Sequence, residues 1–125
     1  MAKGNSEEPG PLERLFGHTA TARILDFMHL FREWDYSKMD IAKNSNVSFP
    51  HALKEIKKLE KLNLIKKTRN VGRAQMHQYN MENPAAQLLQ KFALQLASTE
   101  VDLELARQEQ EKQAKAETKT AAIPT

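Results

Sequence analysis

Apolar positions recur along this chain with two different periods, and the changes of period mark its elements. Pro11 to Phe16 predict a short turn of helix ended by Gly17. Thr19 can cap a helix running to about Glu33, with Ala20, Ile24, Phe27, Met28 and Phe31 at helical spacing. Ser37 can cap a short helix through Lys43 whose apolar positions are Met39, Ile41 and Ala42. Asn44-Ser45-Asn46 is turn chemistry, and Val47 predicts a core plug.

The run Ser48 to Leu62 is the strongest amphipathic stretch. At about 100° per residue, Ala52, Leu53, Ile56 and Leu59 share one face, and Lys54, Lys57, Lys58 and Lys61 share the opposite one. Ser48 is the expected N-cap, its hydroxyl accepting from an amide of the first turn. Pro50 suits that turn, and Asn63 can adopt the left-handed conformation that stops a helix.

After Asn63 the period becomes alternating. Leu64 to Arg69 and Ala74 to Met81 predict two strands around Asn70-Val71-Gly72-Arg73, with Gly72 at positive φ. His77, Tyr79 and Met81 share one strand face. Asn83 can cap, and Pro84 can start, a helix running to about Gln113. Along it Ala85, Leu89, Phe92, Leu96, Thr99, Leu103 and Ala106 are spaced four, three, four, three, four, three, which is a heptad seam. Leu88, Ala93 and Leu105 flank it. Leu89, Phe92, Leu96 and Leu103 are its candidate dimerisation residues; packing back on its own domain is the other use of such a stripe. The domains expected are a disordered start (1–10), a folded unit (11–83), a dimerisation helix (84–113) and a disordered tail (114–125).

Charge sharpens this picture. The net charge is +3, yet residues 36–73 hold ten basic and three acidic side chains, net +7, while residues 1–35 and 82–115 are each net −2. A basic segment of that kind is the footprint of a polyanion partner. The 125 residues, 40% of them hydrophobic, suit one domain with appendages. No apolar run is long enough to span a membrane, and the first ten residues lack the apolar middle of a signal peptide. The absence of cysteine excludes disulfides, zinc ribbons and thiol nucleophiles. His18, His29, His51 and His77 show no metal-ligand spacing, and there is neither a Gly-rich phosphate loop nor G-x-S-x-G. The expectation is a cytoplasmic protein that is not an enzyme and uses no cofactor or metal.

Helix, short helix, turn, helix and two-stranded hairpin is the order of a winged helix-turn-helix. Ile41-Ala42, Val47-Ser48, Pro50, Ile56, Leu59, Leu62 and Leu64-Ile65 resemble that superfamily's framework, and Gly72-Arg73 stands at the wing. The earlier L-F-G-H-T-A-T-A-R-I-L-D-F resembles the first helix of prokaryotic and archaeal regulators of the ArsR and MarR type. The resemblance covers Leu15 to Met81. It implies a mainly α fold with a small β-hairpin, followed by the long C-terminal helix.

The resemblance further implies that residues 48–62 form a recognition helix in the major groove of double-stranded DNA. Ser48, Phe49, Pro50, His51 and Lys54 would then lie nearest bases and sugars, and Lys58 and Lys61 would meet phosphates. Ser37 and Lys38 would meet the backbone, and Arg69, Asn70 and Arg73 phosphate or an adjacent minor groove. Two features depart from the pattern. Phe49 stands where a polar or basic residue is usual; it can touch a thymine methyl but cannot donate to guanine. The recognition helix carries no Arg, and Lys lacks the bidentate fork. The implied function is a homodimeric transcriptional regulator. The alternatives are an architectural or segregation-type DNA binder of low sequence preference, and a winged helix used for protein interaction. No residue signals an effector ligand.

Overall fold

The structure, a computed structural model, describes residues 8–121, with side chains through residue 118. The disorder expected for residues 1–7 and 122–125 lies outside the described residues. The elements run α1 (Pro11–Phe16), α2 (Ala20–Leu30), β1 (Tyr36–Ser37), α3 (Lys38–Ser45), α4 (Phe49–Lys61), β2 (Ile65–Val71), β3 (Ala74–Tyr79) and α5 (Pro84–Ala121). The sheet has three antiparallel strands in the order β1-β3-β2. This is the winged helix-turn-helix that the sequence resembles.

The chain divides into two units, the first ending at Ala93 and the second starting at Leu94. In the first, Ile24, Phe27 and Met28 of α2, Ile41 of α3, Ala52, Ile56 and Leu59 of α4, and Ile65 and Tyr79 of the sheet bury a single core. Leu12 belongs to it because Asp26 holds α1 in place. Its carboxylate accepts from the amides of Leu12 and Glu13, both at 2.9 Å, which satisfies two donors at the start of that helix. Gly10 makes room for this cap, since a Cβ there would overlap the Asp26 carboxylate.

Several boundaries differ from expectation. α2 stops at Leu30 rather than near Glu33. Phe27 packs against Phe31 and Tyr36 with tilted rings, centroids 5.3 and 4.8 Å away, and Gln78 donates to the carbonyl of Arg32 at 2.9 Å. These contacts turn the chain back so that Tyr36 pairs with His77 and Ser37 with Met76, a third strand beyond the expected hairpin. α3 continues to Ser45 and closes on Asn46, which is left-handed at φ 55°. Asn70 and Val71 belong to β2, so the wing turn shrinks to Gly72-Arg73, with Gly72 at φ 60° as anticipated. α5 runs past Gln113 through residues expected to be a disordered tail. Nothing between Ala114 and Ala121 breaks a helix, and alanine, glutamate and lysine favour one.

Candidate nucleic-acid interface

α4 buries Ala52, Ile56 and Leu59 and exposes Lys54, Lys57, Lys58 and Lys61, as its spacing requires. Leu53, expected on the apolar face, is instead exposed at its margin. Phe49, Pro50 and His51 are all exposed at the N-terminal end. Ser48 is the N-cap residue, but its hydroxyl makes no cap bond; it lies 3.2 Å from Nδ1 of His51 instead. The cost is small, because Pro50 has no N–H to satisfy and Ser48 still accepts the first helical bond through its carbonyl, from Ala52 at 2.8 Å.

The C-terminal end of α4 is held more firmly. Asn63 is left-handed at φ 57°. Asn83 donates to the carbonyls of Leu62 and Asn63 at 3.1 and 3.0 Å, and Asn80 donates to Asn63 at 2.9 Å. The same Asn83 accepts from the amide of Ala85 at 3.0 Å, so one side chain serves the end of α4 and the start of α5.

The two flanks of α4 treat their lysines differently. Facing α2, Lys58 donates to Glu55 at 2.8 Å and to the Thr21 hydroxyl at 3.0 Å. Thr21 also donates to Glu55. Lys58 and Thr21 together hold the Glu55 carboxyl below its usual range. Facing the wing, Lys57 and Lys61 make no ion pair among the described residues, and Lys54, on the outer face, makes none either. Lys57 is absent from the DNA-facing residues that the resemblance implies, although its spacing puts it in the same stripe as Lys54, Lys58 and Lys61.

The wing is braced at its base. The register of β2 against β3 slips between Lys67 and Asn70, a bulge that places one extra residue in β2. Neighbouring strand residues normally point to opposite faces, but here Thr68 and Arg69 both reach Asp35. Thr68 donates at 2.7 Å, and Arg69 forks onto both carboxylate oxygens at 2.9 and 3.1 Å. Arg69, chiefly, and Thr68 hold that carboxyl below its ordinary range. Arg69, expected on DNA, therefore holds the wing to the segment before β1. Arg73 and Asn70 are exposed near the tip.

Ser37 caps α3, its hydroxyl accepting from the amide of Asp40 at 3.1 Å, and Lys38 is half-buried as the first residue of that helix. Beneath Lys38 the imidazole of His77 is fully buried. Its Nε2 is 3.3 Å from Glu60 Oε1, yet neither ring nitrogen makes a well-directed hydrogen bond. Burial outweighs the Glu60 carboxylate and lowers the pKa of this imidazole. His29 on α2 is buried likewise, with its pKa lowered to about 4, chiefly by burial. Its Nε2 is 3.9 Å from Asp26, too far to hydrogen-bond.

On α5, the residues turned into the first unit are Ala86, Gln90 and Ala93, with Leu89 against the same core. The Tyr79 hydroxyl donates to the Ala86 carbonyl at 2.6 Å and seats this first stretch of helix. The buried positions thus lie one residue after Ala85, Leu89 and Phe92 of the expected seam. Ala85 is exposed, Phe92 is 46% exposed and Leu88 66% exposed. In the second unit Leu103 is 65% exposed, as are Val101 and Leu105 to similar extents, and Arg107 bridges Glu104 and Glu111 along the helix.

In sequence the chain matches no protein-family model and no curated protein. In structure it is similar to MepR, a transcription regulator of the Staphylococcus aureus multidrug efflux pump MepA. That match has a TM-score of 0.59 at 19% identity over 88% of this chain and 81% of that one. It is similar to Lactococcus lactis ZitR at TM-score 0.59 and 21% identity, over 86% and 84% of the two chains. An S. aureus MepR mutant bound to an oligodeoxyribonucleotide matches at TM-score 0.58 and 19% identity, over 89% and 81%. At these identities the likeness is one of fold.

Proposed function

We propose that this chain is a DNA-binding transcription regulator that acts as a homodimer and carries out no catalysis. The observation that carries the reading is the outer face of α4. Lys54 there, and Lys57 and Lys61 on the flank facing the wing, make no ion pair among the described residues, beside a braced wing that exposes Arg73. Cations left unpaired on one face are available to displace counterions from phosphate, which dominates DNA affinity. The similar fold of a regulator bound to an oligodeoxyribonucleotide supports the same reading.

In this reading the N-terminal end of α4, from Ser48 to Lys54, enters the major groove. Lys38 and Ser37 at the start of α3 approach the backbone, and Asn70 and Arg73 approach a neighbouring phosphate or minor groove. Dimerisation runs through the outward side of α5, where Phe92 and Leu103 stay exposed in the single chain. Such an assembly can set two domains about one helical turn, roughly 34–36 Å, apart on DNA.

The exposed Phe49 and the lack of Arg on α4 favour a second reading, an architectural binder with little base preference. Selection from a genomic DNA library separates the two. A sharp consensus is expected for the regulator and even coverage for the architectural protein. No bound DNA would defeat both and leave a protein-interaction role. Sedimentation at micromolar concentration tests the assembly: the wild type is expected as a dimer and Phe92→Ala, Leu96→Ala as a monomer. A wild-type monomer would remove α5 as the tether.

A further inference from the structure

The wing-facing flank of α4 is one wall of an open groove of about 580 Å³, lined by Lys38, Leu53, Lys57, Glu60, Lys61 and Lys67. The start of α3 supplies Lys38, β2 supplies Lys67, and the remaining four come from α4. Four lysine side chains therefore line a cleft that contains one carboxylate. That carboxylate is shared, since Glu60 lies 3.3 Å from the buried His77 and 3.8 Å from Lys67. Lys38, Lys57 and Lys61 make no ion pair among the described residues. Like charges gathered in a concavity repel one another, and a bound anion removes that repulsion. The positive end of α3 adds to the field at the Lys38 side. Lysine ammonium groups are compact point charges that bind phosphate well, even without the arginine fork that grips carboxylate and phosphate alike. Leu53 adds an apolar wall against which a sugar carbon could lie.

We propose that this groove is a phosphate-binding cradle with Lys38, Lys57, Lys61 and Lys67 as its donors. The ligand is either a phosphodiester of the DNA backbone or a free polyphosphate anion. Only the first source rests on the DNA-binding reading above.

The test uses the full chain at constant ionic strength, with inorganic pyrophosphate and a DNA duplex as separate probes. The NMR signals of lysine side-chain ammonium groups are followed during each titration, and affinities are measured by calorimetry. Lys57→Gln, Lys67→Gln is compared with Lys43→Gln, an exposed lysine outside the groove. The cradle predicts that Lys38, Lys57, Lys61 and Lys67 respond together while Lys43 does not. The double variant is expected to bind its anion about tenfold more weakly, as the loss of two solvent-exposed ionic contacts implies. Its DNA salt slope is expected to fall by about two, one for each phosphate no longer neutralised.

Loss of DNA affinity alone identifies the backbone as the source. Loss of pyrophosphate affinity alone identifies a free polyphosphate and leaves the DNA reading to the wild-type titration. Loss of both means that the two anions share the cradle. If neither affinity changes, or if the four lysines do not respond in the wild type, the proposal is overturned even where DNA binds well elsewhere. Should the double variant unfold, the wild-type lysine signals still decide.

Discussion

The two flanks of α4 carry the same kind of residue to opposite effect. On the α2 side, Glu55 stands three residues before Lys58, with Thr21 opposite, and the ammonium is held at 2.8 Å. On the wing side, Lys57 and Lys61 look across a groove at two further lysines. Exposure does not separate them, because Lys57, Lys58 and Lys61 are all exposed. What separates them is whether a carboxylate has been built within reach. A lysine already paired gives up its partner before it can neutralise a phosphate, so it contributes less to binding than an unpaired one. One acidic residue therefore divides a stripe that looks uniform into an available half and an occupied half.

The largest effect is expected where both flanks depend on the same buried residue. Ile56 is fully buried beneath α4. Ile56→Ala is expected to cost about 2–5 kcal/mol through poorer packing and a cavity. Urea unfolding followed by circular dichroism measures this. A cost below about 1 kcal/mol would mean that α4 is not seated on the core as described.

Acid is expected to act next most strongly, through α2. His29 has its folded pKa lowered from 6.5 to about 4. The unfolded chain therefore binds the proton more readily. This contribution to stability is complete above pH 6.5 and is lost as pH falls toward 4. The loss is at most about 3 kcal/mol. Urea midpoints at pH 7.5 and pH 5 should differ in the wild type, and the difference should shrink in His29→Leu. An equal pH response in the two proteins would assign the effect to other groups.

Affinity for DNA then tests the comparison directly. Lys57→Gln is expected to lower the salt slope by about one. Lys58→Gln should lower it by less, because its ammonium is already engaged. Equal slopes for the two variants would erase the distinction between the flanks. The smallest effect belongs to Glu55→Gln, which releases Lys58. DNA affinity should rise a few-fold while stability falls by no more than about 1 kcal/mol, the usual range for an exposed ion pair. Weaker DNA binding by this variant would show that Glu55 itself supports the interface.

Much of this molecule is legible in its amino-acid order. The 3.6-residue period between Ser48 and Asn63 defines α4 and the lysines opposite its core, because those features follow from local geometry. The same holds for Ser37 as the cap of α3 and for the positive φ of Gly72. Capping and turn formation are decided within a few residues.

The pairing of those residues is decided elsewhere. Arg69 reads as a free wing cation until the bulge turns it onto Asp35, 34 positions earlier in the chain. Lys58 meets Thr21 from a different helix, and Lys67 and Lys38 come from separate elements to face Lys57 and Lys61. On α5 the side that meets the core lies one position from the heptad spacing, since Ala86, Gln90 and Ala93 are buried while Phe92 is left outside. A period states that a helix has a face. Its rotation is set by which side chains fit the core, here small ones at Ala86 and Ala93 beneath the Tyr79 bond. Sequence separation carries no information about that fit, and so the direction of the stripe, the partners of the charges and the groove between helix and wing exist only in the folded chain.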